Sequence, residues 1–230
     1  MRLLVVGASS GIGRALVLLA AREGVDVVAA ARRADRLDEL PVETVVCDAR
    51  RGNDCETVVA SAVSRLGGLD AVVYAAGVSP LVAVSDADAD VWRDVLDTNV
   101  VGAALVVRAA LPHLIATSGR AVFLSSDSVP RPYPGLVAYA ASKAALNTLV
   151  AGWRVECPEV TFTRVAVGPT VTGFADGWSP ERAAAYFARW EAEAYLRATQ
   201  PIMTPDQVAA EVLHIVRSPA SLDDVVVRAR

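Results

Sequence analysis

The run 3–6 is short and apolar, and it passes directly into Gly7-Ala-Ser-Ser-Gly11-Ile-Gly13, then into the helical pattern Arg14-Ala-Leu-Val-Leu-Leu-Ala-Ala-Arg22. A buried strand, a glycine turn and a helix in that order constrain the chain more than any other stretch. Gly7 permits the tight turn, Gly11 lets backbone approach a pyrophosphate, and Gly13 lets the helix pack close to the sheet. The helix N-terminus then turns its N–H groups and dipole towards phosphate oxygens. The spacing is G-x-x-x-G-x-G rather than G-x-G-x-x-G, so strand–turn–helix context carries the reading.

The pattern repeats along the chain. Runs at 25–30, 44–47, 69–74, 121–124, 160–167 and 225–227 are rich in Val and Ala and read as strands. Longer amphipathic runs separate them. Such alternation predicts an α/β fold, a Rossmann-type doubly wound parallel sheet of seven strands with helices on both faces. At 230 residues and 53% hydrophobic, the chain fits one nucleotide-binding domain, 1–230, with a sizeable core. Asp54 is expected to cap the helix 54–66.

Net charge is −4, which gives no general attraction to nucleic acid or anionic membrane. No uninterrupted apolar run reaches membrane-spanning length, and the first strand at residue 2 leaves no room for a signal peptide. Cys47, Cys55 and Cys157 are scattered, His113 and His214 stand apart, and no metal spacing emerges. A reduced, cytoplasmic protein is expected.

Chemistry concentrates in 125–143, which ends in Tyr139-Ala-Ala-Ser-Lys143. Residues i and i+4 share a helix face, so a phenol and an ammonium stand side by side. A neighbouring cation is expected to lower the Tyr139 pKa and fit it for proton transfer. Ser126 lies thirteen residues earlier at the end of a strand, with Ser128 as its rival. Asn99 falls inside a long helix, where Asn is unfavourable, so a kink with dedicated partners is expected. Ala75-Ala76-Gly77 forms a turn at a carboxyl strand end, the side on which such sheets bind cofactors. The second strand ends without a carboxylate and runs into Ala31-Arg32-Arg33, which suits a ribose 2′-phosphate better than a free diol. The segment 173–204 carries Phe174, Trp178, Tyr186, Phe187, Trp190 and Tyr195, six of the thirteen aromatics, and is a candidate substrate lid.

Together these motifs resemble the short-chain dehydrogenase/reductase family, in its classical subgroup, strongly over 1–172. The resemblance implies sheet order 3-2-1-4-5-6-7 and hydride transfer between a nicotinamide and a carbonyl or alcohol carbon. It implies Tyr139 as proton donor or acceptor and Ser126 holding the substrate oxygen. Lys143 would bind the nicotinamide ribose, and Asn99 would position a water in the relay. The cofactor would meet Gly7, Ser9, Ser10, Gly11, Ile12 and Gly13. Arg32 and Arg33 would lie at the ribose phosphate, Asp48 at the adenine, and Ala75, Ala76, Gly77, Tyr139, Lys143, Gly168 and Thr172 along the rest. NADP(H) is favoured over NAD(H). The implied partners are a small carbonyl or alcohol substrate and further copies of the chain, as homodimer or homotetramer. Tyr74 replaces the Asn the family often carries, and Val167-Gly168 replaces its Pro-Gly. A cofactor-sensing regulator on the same fold is the competing class.

Overall fold

Alternate side chains of the first strand, β1 (Arg2–Val6), feed two separate cores: Leu3 and Val5 enter one, Leu4 and Val6 the other. A strand turns successive side chains to opposite faces, so a run apolar throughout must be covered on both sides. The computed structural model of the protein describes residues 1–196 and 201–230.

The glycine turn leads into α1 (Gly11–Arg22), which returns the chain to β2 (Asp26–Ala31). A short helix, α2 (Ala34–Leu37), precedes β3 (Glu43–Val46). Then come α3 (Gly52–Leu66) and β4 (Ala71–Tyr74). A continuous helical stretch follows: α4 (Ala89–Leu96), a π-helical turn (Asp97–Val101) and α5 (Gly102–Thr117). Strand β5 (Arg120–Ser126) leads through a loop to α6 (Val137–Glu156) and β6 (Thr161–Val167). After a 3-10 turn (Gly173–Ala175) the chain forms α7 (Pro180–Ala192), α8 (Pro205–Arg217) and β7 (Asp224–Val227).

The strands form one parallel sheet in the order β3-β2-β1-β4-β5-β6-β7, as the resemblance implies. Order reverses between β1 and β4, and a crevice opens there at the carboxyl ends of the strands. Helices α1 and α8 cover one face, with Leu16, Val212 and Leu213 in its core. Helices α3, α5 and α6 cover the other, around Val58, Val106, Phe123 and Leu146. Leu16 and Leu146 are fully buried, and truncating either to Ala removes about 2–5 kcal/mol. A third, smaller cluster joins Leu81, Leu136 and Trp190 beneath α7.

Three expectations shift. Helix α3 starts two residues before Asp54, and the Asp54 carboxylate accepts the Asp48 N–H at 3.0 Å instead of capping the helix. Helix α1 starts at Gly11, so Gly11 and Gly13 form its first turn. The stretch Ala89–Thr117 is 29 residues of continuous helix, apolar enough by length and composition to cross a membrane. Here its Ala103, Val106, Ala110 and Leu114 pack in the domain core. Among the described residues all three cysteines are free thiols.

Candidate active site

One cavity of about 850 Å³ runs along the carboxyl ends of the strands. It is lined at one end by Gly7, Ser9, Ser10, Gly11, Ile12, Arg32, Arg33 and Asp48, and at the other by Ser126, Tyr139 and the aromatic residues near α7. Ala75, Ala76, Gly77, Lys143, Gly168 and Thr172 lie along it as well.

The glycine turn forms a cradle of bare backbone. A Cβ on Gly7, at φ +95°, would run into the backbone of Ala75 and Ala76. One on Gly13 would collide with the Gly7 carbonyl, so helix and turn can meet only as glycines. Ser10 occupies the N-cap of α1, yet its side chain makes no capping bond, and no acidic residue sits in the first turn. The first N–H groups of α1 therefore have no side-chain acceptor and face the cavity as a ready anion site. Arg33 explains the missing cap: its guanidinium donates to the Ser10 hydroxyl at 2.8 Å and to the Ser9 hydroxyl at 2.9 Å. A dinucleotide pyrophosphate fits this cradle.

Asp48, at the end of β3, accepts two bonds from Arg50, at 2.9 and 2.7 Å, which hold its carboxyl below the usual range. Arg50 also reaches Asp94 at 2.9 Å. Thr172 stands over Gly11, whose Cβ would lie 3.2 Å from the Thr172 Cβ.

At the far end β5 delivers Ser126 and α6 delivers Tyr139 and Lys143. The Ser126 hydroxyl accepts the Ser128 N–H at 3.1 Å and shares a hydrogen with the Ser128 hydroxyl at 2.8 Å. The two serines are thus one hydrogen-bonded unit, with Ser126 against Tyr139. Burial pushes the Tyr139 phenol up to about 12, and a bond with Ser126 counters this only in part. The expected lowering by Lys143 is not what the structure gives. The Lys143 ammonium stands 5.6 Å from the Tyr139 ring centroid and donates to Leu124 O at 2.7 Å. Burial pulls its own pKa down to about 8. Desolvation is the largest cause at both residues.

Asn99 lies in the π-helical turn of an otherwise continuous helix, and it has the dedicated partners expected of it. It is fully buried. Its Oδ1 accepts the Val78 N–H at 2.8 Å, and its Nδ2 donates to Val78 O at 3.0 Å and to the Ser142 hydroxyl at 2.9 Å. The side chain thereby fixes the turn after Gly77.

Sequence reasoning passed over several contributors. Ser142 ties Asn99 to α6, and only its place beside Lys143 could have signalled it. Tyr74, noted only as a departure from the family, is buried and donates to Thr98 O at 2.5 Å, next to Asn99. Asp127 follows Ser126 on the cavity wall, and burial raises its carboxyl despite Arg228.

A glycine cradle, a Ser–Tyr–Lys group and a parallel sheet meeting in one cavity define an oxidoreductase of the nicotinamide-dependent, doubly wound class. A family model described as short chain dehydrogenase matches residues 2–183, and the chain belongs to the short-chain dehydrogenase/reductase family. An uncharacterised oxidoreductase of Listeria monocytogenes is 34% identical over 165 residues, covering 67% of this chain and 66% of that protein. Glycine betaine reductase of Emericella nidulans is 30% identical over 244 residues, 98% of this chain but 18% of that much longer protein. An alcohol dehydrogenase from Thermococcus sibiricus, solved with 5-hydroxy-NADP, superposes with a TM-score of 0.84 at 24% identity, covering 99% of this chain and 96% of that one, and shares the fold.

Proposed function

We propose that the chain is an NADP(H)-dependent oxidoreductase that interconverts a small carbonyl compound and its alcohol, with Tyr139 as the acid and base. The observation that carries this reading is the meeting of Ser126, Tyr139 and Lys143 with the glycine cradle in one cavity. A nicotinamide dinucleotide, when bound, supplies or accepts the hydride.

The residues divide the remaining work. The substrate oxygen rests between the Ser126 and Tyr139 hydroxyls. Tyr139 keeps its proton at neutral pH and gives it to that oxygen in reduction. Lys143, its ammonium oriented by the bond to Leu124 O, would hold the nicotinamide ribose with its remaining N–H groups. Asn99 holds the Gly77–Val78 turn against which the cofactor lies. Arg32 and Arg33 line the cavity beyond β2 and would hold the ribose phosphate there, where Ala31 offers no carboxylate to repel it. Arg33 is fastened over Ser9 and Ser10, so its guanidinium is already in place for a charge-assisted pair.

The substrate presents apolar surface to the aromatic residues of 173–196, which belong to the lid segment 173–204; residues 197–200 lie outside the described residues. One relative is named for a quaternary ammonium compound, which keeps a methylated cation among candidate substrates. Exposed Val101, Ile115, Val137 and Val155 on the outer side of the α5 and α6 region support a homodimer or homotetramer. A cytoplasmic location completes the reading. A cofactor-sensing regulator would have no use for Ser126, Tyr139, Lys143 and Asn99 together.

The test is a panel of ketones and aldehydes with purified protein and either NADPH or NADH, followed by cofactor absorbance. Turnover with NADPH preferred supports the reading. Cofactor binding with no turnover of any carbonyl or alcohol would favour the regulator.

A further inference from the structure

The substrate end of the cavity is walled by rings whose hydrogen-bond donors are already used. Phe174 stands edge-on to Tyr139 with centroids 5.1 Å apart, and Trp178 stands against Phe174 at 5.5 Å. Phe187 and Trp190 lie 6.2 and 6.0 Å from Trp178. The Trp178 indole N–H donates to Ser79 O at 2.7 Å, and that of Trp190 to Pro134 O at 2.9 Å. Trp190 is itself buried, so the box offers a substrate the π surface of Phe174, Trp178 and Phe187 and no indole donor. Such surface is negative over the ring face and attracts a cation, Trp most strongly.

Charge at this end has the complementary sign. Asp127 and Asp176 line it. Of the cavity's cations, Arg32 and Arg33 lie beyond β2, and Lys143, beside Tyr139, has its ammonium bonded to Leu124 O, so two carboxylates stand against one cation here. Arg228 reaches Asp127 Oδ2 at 3.2 Å, but its side chain is 61% exposed against 19% for Asp127. A pair so open to water compensates the Asp127 charge weakly. Burial already raises the Asp127 carboxyl, the direction expected of a carboxylate short of compensation. The Ser79 hydroxyl, buried without a partner on the same wall, can take a further polar atom.

We propose that the substrate carries an alkylated ammonium group close to the reacting carbonyl, held in the box of Phe174, Trp178 and Phe187 and facing Asp127. The inference rests on the oxidoreductase reading and narrows its substrate class. N-methyl groups give the cation the apolar shell that the rings require. The reaction is unchanged: hydride adds to the carbonyl carbon, the carbonyl π pair takes the Tyr139 proton, and the products are the amino alcohol and the oxidised nicotinamide.

Isosteric pairs that differ in one atom test it with the full chain and NADPH. Trimethylammonioacetone is compared with 4,4-dimethylpentan-2-one, and trimethylammonioacetaldehyde with 3,3-dimethylbutanal. The cation is expected to win by about tenfold in kcat/KM, and Asp127→Asn and Phe187→Leu are each expected to bring that ratio several-fold closer to one. A readout without turnover is tryptophan fluorescence titrated with tetramethylammonium chloride against sodium chloride. It is expected to saturate, and to do so at higher concentration in Asp127→Asn. A neutral analogue used as well as the cation, or a tetramethylammonium titration no different from sodium, overturns the proposal. Saturation by tetramethylammonium with no turnover of any carbonyl would sink the oxidoreductase reading and leave the cation box standing.

Discussion

The Asn99 side-chain nitrogen donates to the Ser142 hydroxyl at 2.9 Å, and that hydroxyl donates in turn to Tyr139 O at 2.6 Å. The two bonds lock the π-helical turn to the first turns of α6, which carries both Tyr139 and Lys143. Replacing Asn99 by Ala leaves the Val78 N–H and carbonyl and the Ser142 hydroxyl to find new partners in a dry place. We expect a loss of about 2–4 kcal/mol, read by urea denaturation. Dinucleotide affinity should fall as well, since the Gly77–Val78 turn loses its brace. An Asn99→Ala protein of wild-type stability would remove the bracket from the argument.

Tyr139→Phe removes one oxygen from a residue whose ring stays packed edge-on against Phe174. Turnover is expected to fall by about 10²–10⁴-fold, with NADPH affinity within a few-fold of wild type. Rapid-mixing kinetics and a fluorescence titration of NADPH separate the two effects. Unchanged turnover would take the phenol out of proton transfer.

The pH profile follows from two buried groups. With Tyr139 near 12, the phenol keeps its proton across the working range, so reduction loses no donor there. Lys143 titrates near 8, so reductive kcat/KM should be level at neutral pH and decline as pH rises through about 8. Stability carries the opposite sign. A lysine whose folded value lies below its ordinary 10.5 binds its proton more weakly folded than unfolded, which costs stability below about 8 and is relieved between there and 10.5. Lys143→Met should therefore be inactive yet gain stability relative to wild type at pH 7, with the gain shrinking towards pH 10. Denaturation curves at the two pH values decide it.

Cofactor choice rests on the turn after β2. Charge-assisted bonds from Arg32 and Arg33 to a 2′-phosphate are worth about 1.5–3 kcal/mol, or roughly 10–150-fold in preference for NADPH. Ala31→Asp combined with Arg32→Ile should reverse it, adding repulsion where attraction is removed. Arg33→Ala should weaken both cofactors, because it also frees the Ser9 and Ser10 hydroxyls beside the pyrophosphate cradle. The ratio of kcat/KM for NADPH and NADH checks each variant, and a wild type indifferent to the 2′-phosphate would end this account.

The sheet and the catalytic group were legible because each depends on local pattern. Continuous apolar runs announce strands covered on both faces, and the spacing from Ser126 to Lys143 survives folding as geometry. What stayed hidden depends on long-range packing. The Tyr139 pKa rises because α7 and its neighbours dry the site, and no i+4 rule contains that. The Asp54 carboxylate is captured by the Asp48 N–H across a tight turn, overriding its capping preference. The bonds from Arg33 to Ser9 and Ser10 join residues more than twenty positions apart, and only the pairing of β1 with β2 brings them together.

The aromatic roof is pinned from two sides: Trp178 and Arg182 donate to Ser79 and Leu81, while Trp190 and Arg131 bond to Pro134 and to the end of α7. None of Ser126, Tyr139 or Lys143 lies on that roof. On the proposed reading, the aromatic share of substrate discrimination is thus encoded in a stretch of chain separate from the one that handles protons, with Asp127 beside Ser126 as the point where they meet. Divergence can rewrite 174–196 to suit a new metabolite without disturbing the reaction, and an engineer can exchange the same stretch as a cassette.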